Sequence, residues 1–381
     1  MKLLTLSNCP LLAHQGSGYV TLGYVEGLRS RGWHVDAFGP EHFEPLPRLR
    51  KAKSWRVTVG MLIRALRCVM RASYDVVELY GGEAWLAIAV LSRWPGRRFL
   101  LVSHANGLEP HMGQEMRRHL GRDTVDGKAR RWYQLDTSAL MESGFRRVDA
   151  LVMVSDNELR YARAQAYQPD ARLLALDNPL PESFRGLPLR LGRRPTIVYC
   201  GSWIPLKGTA AITADMPRIL REFPDARLRL VGVGKTLRPE DHFPADVLGQ
   251  IEVLPFVSDK EQLRAVYSEC AISIAPSAFE SFGMTVSEAM ACGCAVVASR
   301  TGFAAGLRDG VEACLLTKPL SPDLYTQVKR LLENPQLRDA VAMAGHARAQ
   351  RLKWSAAVER LSTAYEMWLA ELRGKAKQVA R

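Results

Sequence analysis

The chain lacks any apolar run approaching the roughly 20 residues that a membrane-spanning helix needs, so membrane contact, if made, is expected to be peripheral. Leu3, Leu4 and Leu6 follow Lys2, but Ser7, Asn8 and His14 cut this run too short for a secretory leader. Asn8 before Cys9 also spoils a lipoprotein-type cleavage site. Cysteine is sparse: seven residues, an odd number scattered widely, do not form a secreted disulfide framework. Cys292 and Cys294 have no second pair at zinc-ligand spacing, and the eight histidines form no HExxH-type cluster. The thiols therefore read as reduced and mostly buried, which predicts a cytoplasmic chain. Acids are the minority charge, with 39 Asp and Glu against 52 Lys and Arg, a net charge of +13. A basic surface implies phosphorylated metabolites, nucleic acid or an anionic membrane as partners. The aromatic-basic signature of a known RNA fold is missing, which sets nucleic acid aside.

What is present is an ordinary globular composition, 47% apolar and 24% charged over 381 residues, enough for two domains. Aliphatic and β-branched runs recur at Leu3–Leu6, Val35–Phe38, Val76–Leu79, Phe99–Val102 and Leu151–Val154. A second series covers Ile197–Cys200, Leu228–Val231, Ile251–Leu254, Ala271–Ile274 and Ala295–Ala298. Few alternate with polar residues, so they read as strands buried on both faces, as in parallel sheets. Helical periodicity between them predicts an α/β chain of two doubly wound, Rossmann-like domains facing a central cleft. Ser155 with Glu158, and Ser258 with Glu261, have capping-box spacing at helix starts. The Pro-, Gly- and Arg-rich stretch from Asn178 to Pro195 reads as the linker. The expected domains are 1–185 and 186–355, with a helix over about 356–381 packing back on the first.

From Arg48 to Arg71 there are eight basic residues and no acid. A helical wheel puts Val59, Leu62, Ile63, Leu66, Val69 and Met70 on one face, flanked by Arg56, Arg64, Arg67 and Arg71. This is either an ordinary surface helix with a solvated basic side or a patch for anionic lipid or a phosphorylated acceptor.

The densest chemical signal runs from Pro276 to Ser299. A buried strand ends at Pro276, a loop carries Glu280, and a helix starts near Met284. Its unpaired N–H groups at the positive dipole end suit a diphosphate, and Gly283 admits close backbone approach. Glu280 and Glu288 can each accept hydrogen bonds from a vicinal diol. Thr285 with Glu288 equally has capping-box spacing, so Glu288 could merely cap its own helix.

This block resembles the E-x7-E signature of retaining glycosyltransferases of family 4, which have the GT-B fold. Gly16-Ser17-Gly18 resembles the family's N-terminal glycine loop, followed by Arg31-Gly-Trp-His-Val35. Ser103-His104 through Asn106-Gly107-Leu-Glu109 resembles its histidine-bearing loop, and Asp177-Asn178-Pro179 the close of its first domain. Gly201 through Lys207-Gly208 resembles its phosphate-binding stretch, and Asn334-Pro335 and Trp354-Ser355 its C-terminal end. The resemblance implies an acceptor-side N-terminal domain and a C-terminal domain for a nucleotide-diphosphate sugar, with no cofactor and no metal.

By position, Glu288 would hold the donor ribose. Glu280 would touch the donor sugar, and the backbone around Phe282, Gly283, Met284 and Thr285 would serve sugar and phosphates. Lys207, beside Gly201 and Ser202, would neutralise the departing diphosphate. His104 would sit near the transferred sugar, unless it is a core or loop histidine. Gly16, Ser17 and Gly18 would form a phosphate or acceptor loop, or plain turns. Two departures stand out. Ser202 replaces the family's common arginine, removing a cationic phosphate contact, and Gly302-Phe-Ala-Ala-Gly306 replaces Gly-Gly-x-x-Glu.

Gly232-Val-Gly-Lys235-Thr236 ends like a Walker loop, but the required first glycine falls on Arg229. The expected activity is retaining hexosyl transfer to a glycan, lipid-linked saccharide or small molecule. The rivals are a sugar-nucleotide hydrolase or epimerase on the same frame and a sugar-nucleotide binder that has lost catalysis. A place at the inner face of the membrane would follow if the basic helix meets lipid.

Overall fold

The structure, a computed structural model, describes residues 1–12, 16–46, 49, 51–121, 137–317 and 323–379, with the side chains of 375–379 left aside. Within the sequence features above, His14, Arg48, Arg50 and the last two residues of the 356–381 segment lie outside the described residues.

Two parallel sheets organise the chain. The first holds β1 (Lys2–Leu6), β2 (His34–Phe38), β3 (Val76–Tyr80), β4 (Leu100–His104), β5 (Ala150–Met153) and β6 (Leu173–Ala175), in the order β2-β1-β3-β4-β5-β6. The second holds β7 (Thr196–Cys200), β8 (Arg227–Val231), β9 (Ile251–Leu254), β10 (Ile272–Ala275), β11 (Ala295–Ser299) and β12 (Cys314–Leu316), ordered β12-β11-β10-β7-β8-β9. Every residue of β3, β4, β5 and β11 is buried, as continuous apolar runs require when helices cover both faces. Register is set centrally: Leu3 lies opposite both Val35 and Val76, and Ile272 opposite Ile197 and Ala295.

The chain divides into two compact units. One comprises Met1–Gln114, Asp126–Pro179 and Trp354–Arg381; the other comprises Glu115–Val125 and Leu180–Lys353. The helix Trp354–Val379 thus completes the first unit. Gly23 and Gly27 of the helix Gly16–Ser30 make room for it, since a Cβ there would fall 2.1 Å from the Trp354 ring and 2.3 Å from Val358. Leu361, Tyr365 and Trp368 are at most 2% exposed, joining Leu3, Val20, Tyr24 and Leu28 in one core.

Two of three local expectations need correction. The helix Lys260–Glu269 is capped by Asp259, whose side chain accepts from the Glu261 amide, and not by Ser258. Ser155 caps its helix as expected, its side chain accepting from the Glu158 amide at 3.4 Å, while the Glu158 carboxylate reaches the Leu108 amide and His111. The basic helix Lys53–Arg71 buries Val57, Thr58, Gly60, Met61 and Ala65; of the expected apolar face, Leu62, Leu66 and Val69 pack against the core, while Val59, Ile63 and Met70 are 44%, 44% and 64% exposed. Small residues decide this. A Cβ on Gly60 would lie 2.3 Å from the Phe43 carbonyl, so the helix makes its close approach there, with Val57 and Met61 buried beside it.

Candidate functional site

In an open doubly wound sheet, ligands bind beyond the carboxyl ends of the strands where the strand order reverses. In the second sheet that point lies between β7 and β10, the central neighbours from which the order runs outward both ways. The loop leaving β7 carries Gly201, Ser202 and the turn Pro205–Lys207, and the loop leaving β10 carries Glu280. Gly208, at φ +76°, lets these loops touch, because a Cβ there would fall 2.1 Å from the Pro276 carbonyl oxygen. The contact sets Lys207 Nζ 2.7 Å and 2.8 Å from the two Glu280 carboxylate oxygens. Glu280 is itself anchored: Ser277 Oγ donates to its Oε1 at 2.7 Å, and its own amide donates to Thr301 Oγ1 at 2.9 Å.

The helix Met284–Ala291 starts from Gly283, left-handed at φ +89°, with no side chain capping it. Among the described residues, the backbone amides of Phe282, Gly283, Met284 and Thr285 donate to no acceptor. That leaves a row of donors at the positive end of the helix, beside the Lys207 ammonium. The Phe282 ring contributes packing only, being 4% exposed and 5.2 Å from Phe303. Phe303 donates its amide to the Phe282 carbonyl at 2.7 Å, so the bulk of the Gly302–Gly306 turn supports the loop from below.

Glu288 lies one turn into this helix and is 1% exposed. Its partner is Lys260, whose Nζ stands 2.6 Å from Oε1. Burial raises the Glu288 carboxyl above its ordinary range, and Lys260 works against that rise. The Thr285–Glu288 capping box does not form, since the carboxylate is spent on the lysine. Burial likewise pushes the Cys200 thiol at the end of β7 up to about 11, Glu288 adding to the rise while Lys260 and Lys207 oppose it. These three charges therefore act on one place at the switch point. Lys260 is the residue that sequence reasoning missed. It follows the helix-capping Asp259 with no motif around it, and only the fold brings it to Glu288. Ser202 is exposed, and its carbonyl accepts from Tyr199 Oη at 2.8 Å.

The remaining expected site residues belong to the first unit. His104 ends β4 but is 1% exposed, its ring stacked 4.4 Å from Tyr80 and 5.2 Å from Tyr24. Its Nδ1 lies 2.8 Å from Glu78 Oε1, which also accepts from Tyr365 Oη at 2.5 Å, while Thr5 Oγ1 donates to Oε2 at 2.8 Å. The expectation of a histidine lining an open site thus meets a core histidine, held by aromatic packing and a shared carboxylate. Gly16, Ser17 and Gly18 open the helix Gly16–Ser30, and a Cβ on Gly18 would lie 2.3 Å from the Pro10 carbonyl. Among the described residues no three His, Cys, Asp or Glu side chains stand close enough to hold a metal ion, and no helix is long and apolar enough to cross a membrane.

Residues 15–179 match the family described as glycosyl transferase 4-like domain, and residues 194–334 match glycosyl transferases group 1. The D-inositol 3-phosphate glycosyltransferase of Segniliparus rotundus is 32% identical over 186 residues, 47% of this chain and 41% of that protein. The phosphatidyl-myo-inositol mannosyltransferase of Mycobacterium tuberculosis is 32% identical over 180 residues, 45% of this chain and 47% of that one. The match thus spans less than half the length of these curated relatives. Among solved structures, sucrose-phosphate synthase from Thermosynechococcus elongatus has a TM-score of 0.77 at 18% identity, over 97% of this chain and 99% of that one. Anabaena HepE in complex with UDP has a TM-score of 0.67 at 18% identity, over 96% and 100%. At such identities these structures establish the shared two-sheet fold.

Proposed function

We propose, because this chain belongs to the family 4 glycosyltransferases of the GT-B fold, that it transfers a hexosyl unit from a nucleotide-diphosphate sugar to an acceptor hydroxyl with retention of configuration. One observation carries the reading. Lys207 and Lys260 converge on the switch point of the second sheet beside four free amides, each ammonium neutralised by a glutamate that a donor can replace or share. The amides and Lys207 receive the diphosphate, and its growing charge as the glycosidic bond breaks is met by the ammonium. Glu288 accepts from the ribose diol, with Lys260 keeping its carboxylate ionised against burial. Glu280, released from Lys207, turns to the hydroxyls of the donor sugar. Lys260 supplies a second cation where Ser202 gives none.

The first unit is the acceptor side in this reading, with Gly16, Ser17 and Gly18 near the acceptor. An inositol-bearing acceptor is supported by the names of the relatives from Segniliparus rotundus and Mycobacterium tuberculosis. Peripheral contact with an anionic membrane is supported by the helix Lys53–Arg71. Its exposed Val59, Ile63 and Met70 accompany Arg64, Arg67 and Arg71, and a groove of about 450 Å³ opens beside Trp55, Val59 and Ile63.

A thermal-shift screen against UDP-, GDP- and ADP-sugars tests the donor reading, since a ligand bound only by the native state raises the melting temperature. Product analysis with and without acceptor follows. Transfer with retained anomeric configuration supports the proposal. Release of free sugar regardless of acceptor points to a hydrolase, and tight nucleotide binding without turnover points to a binding protein.

A further inference from the structure

The first sheet has a switch point of its own, between β1 and β3, and the groups gathered beyond it are not those of a phosphate site. Asn8 follows β1, the turn Gly81-Gly82-Glu83 follows β3, and Asn106 and Glu109 follow β4. Gly81 stands at φ +83°, and a Cβ on it would fall 2.0 Å from Asn8 Nδ2; one on Gly82 would fall 2.6 Å from Met141 Sδ and 2.9 Å from Glu109 Oε2. Asn8 and Glu109 therefore press in on the turn from either side. Glu109 Oε1 accepts from the Gly82 amide at 2.8 Å, and Asn8 Nδ2 donates to Glu83 Oε2 at 2.8 Å, which settles how both side chains are turned.

Their other polar atoms are left over. Glu109 Oε2, Asn8 Oδ1 and Asn106 Nδ2 are all buried from solvent, and among the described residues none has a hydrogen-bond partner. Three buried polar atoms without partners at one sheet end are costly unless a ligand supplies the missing bonds. Two are acceptors and one is an amide donor, a set matched by hydroxyl groups, which both give and accept. A phosphate offers mainly acceptors, and its negative charge would meet the carboxylates of Glu83 and Glu109.

We infer that Asn8, Asn106 and Glu109 form the seat of the acceptor, and that the moiety held there is an uncharged polyol, a cyclitol or sugar ring, whose hydroxyl hydrogen-bonds to Glu109 Oε2. This rests on the glycosyltransferase reading and narrows its acceptor to a hydroxyl-rich ring at this position, with no acceptor phosphate in contact with Glu109.

The seat is also sensitive to pH. Burial pushes the Glu109 carboxyl up to about 7, with the Gly82 amide and its own amide opposing and Glu83 and Glu158 adding to the rise. The charged and titratable groups around it are Glu83 on the turn after β3, Glu158 with its partner His111, and Cys9 after β1, which feels both Glu83 and Glu109 as well as Lys53. Glu109 accepts from a hydroxyl more strongly when ionised, and once protonated it offers a donor as well, so acceptor use rises with pH through this range.

The test uses the full chain, the best donor from the thermal-shift screen, and a panel of myo-inositol, mannose, glucose and glycerol. For the best acceptor, kcat/KM of the wild type is expected to fall about tenfold per pH unit below about 7. Glu109→Gln should lower it about a hundredfold, or ~3 kcal/mol, and flatten the profile, while nucleotide affinity by calorimetry stays within about twofold. Asn106→Ala should raise KM for the acceptor, and inorganic phosphate should not compete with it. Circular dichroism melting checks that both variants are folded. Unchanged acceptor kcat/KM in Glu109→Gln, competition by phosphate, or donor cleavage with none of the four polyols used would overturn the inference alone. A wild type that neither binds nor turns over any nucleotide sugar would remove the functional reading, and the inference with it.

Discussion

Lys207 holds both oxygens of Glu280 within 2.8 Å, so an entering diphosphate must compete with a carboxylate already in place. The lysine's contact with phosphate strengthens as negative charge builds on the leaving group, and its loss should appear in kcat more than in donor affinity. Lys207→Ala is expected to lower kcat by about 10²- to 10³-fold with only a few-fold change in donor Kd, readable by single-turnover kinetics and calorimetry. Glu288→Ala should act on donor affinity, with a loss of about 2 kcal/mol from the missing charged hydrogen bonds to the ribose. Stability should change little there, because the buried carboxylate's desolvation disappears with it and Lys260, 32% exposed at the side chain, can turn to water. Glu109 offers a stability test independent of activity. Its carboxyl is raised to about 7 in the fold, so the native state binds this proton more tightly than the unfolded chain does. That contribution is complete below about pH 4.5 and gone above about pH 7. The stability of wild type relative to Glu109→Gln should therefore fall by about 2 kcal/mol between about pH 5.5 and about pH 8 in urea titrations. Of these residues, Glu280, Glu288, Lys207 and Glu109 stand out in the sequence because their neighbours carry a motif. Lys260 and Asn8 do not, since their partners lie 28 and 75 positions away in the chain.

At the scale of elements, most strands could be read because both faces are covered and the apolar runs are unbroken. β6 and β12 escaped, being three residues each, Leu173–Ala175 and Cys314–Leu316. Each takes its place at a sheet edge by pairing with one neighbour, β5 or β11, which no local pattern encodes. The basic helix follows its expected face only in part, with Leu62, Leu66 and Val69 packed on the core, for a related reason. Hydrophobic periodicity assigns the core to the largest side chains, whereas this helix buries the face bearing Gly60 and Ala65 and turns Val59, Ile63 and Met70 outward. That reversal leaves an apolar stripe beside arginines, the amphipathic form that lies in a bilayer interface. Arg64 is a poor probe of it, because its guanidinium stacks 4.4 Å from the Phe38 ring and donates to the His42 carbonyl. Ile63→Ser with Arg67→Glu should instead weaken cosedimentation with phosphatidylglycerol vesicles by at least about tenfold, given ~1 kcal/mol per basic residue at the surface plus the lost apolar burial. Gly283 gives the matching test in the second unit. Alanine at φ +89° costs about 1–2 kcal/mol of backbone strain at the start of the helix that carries Glu288, and both melting temperature and donor affinity should drop together.

For the whole molecule, the question is which parts of the chain stand alone. The first unit draws its core from two ends of the sequence. Tyr365 is fully buried, its hydroxyl completing the set of bonds on Glu78, and Trp368 is 2% exposed, its Nε1 donating to the Ala171 carbonyl at 2.8 Å. The second unit, apart from Glu115–Val125, is continuous from Leu180 to Lys353 and has its own core around Ile197, Ile272, Val297 and Val328. Ending the chain after Lys353 removes the helix Trp354–Val379 and uncovers the first unit's core over the helix Gly16–Ser30. Deleting buried Leu, Tyr and Trp side chains costs about 2–5 kcal/mol each, so losing Leu361, Tyr365, Trp368 and Leu369 together reaches the margin of about 5–15 kcal/mol of an ordinary domain. The truncated chain is therefore expected to lose one calorimetric transition, that of the first unit, and all transfer activity. The other transition should remain and still rise with nucleotide diphosphate by the amount RT ln(1 + [L]/Kd) prescribes. If the surviving transition no longer responds to the nucleotide, the donor does not rest on the second unit by itself. A single cooperative transition lost as a whole would instead mean that the two cores, separate in their residues, are not separate in their stability.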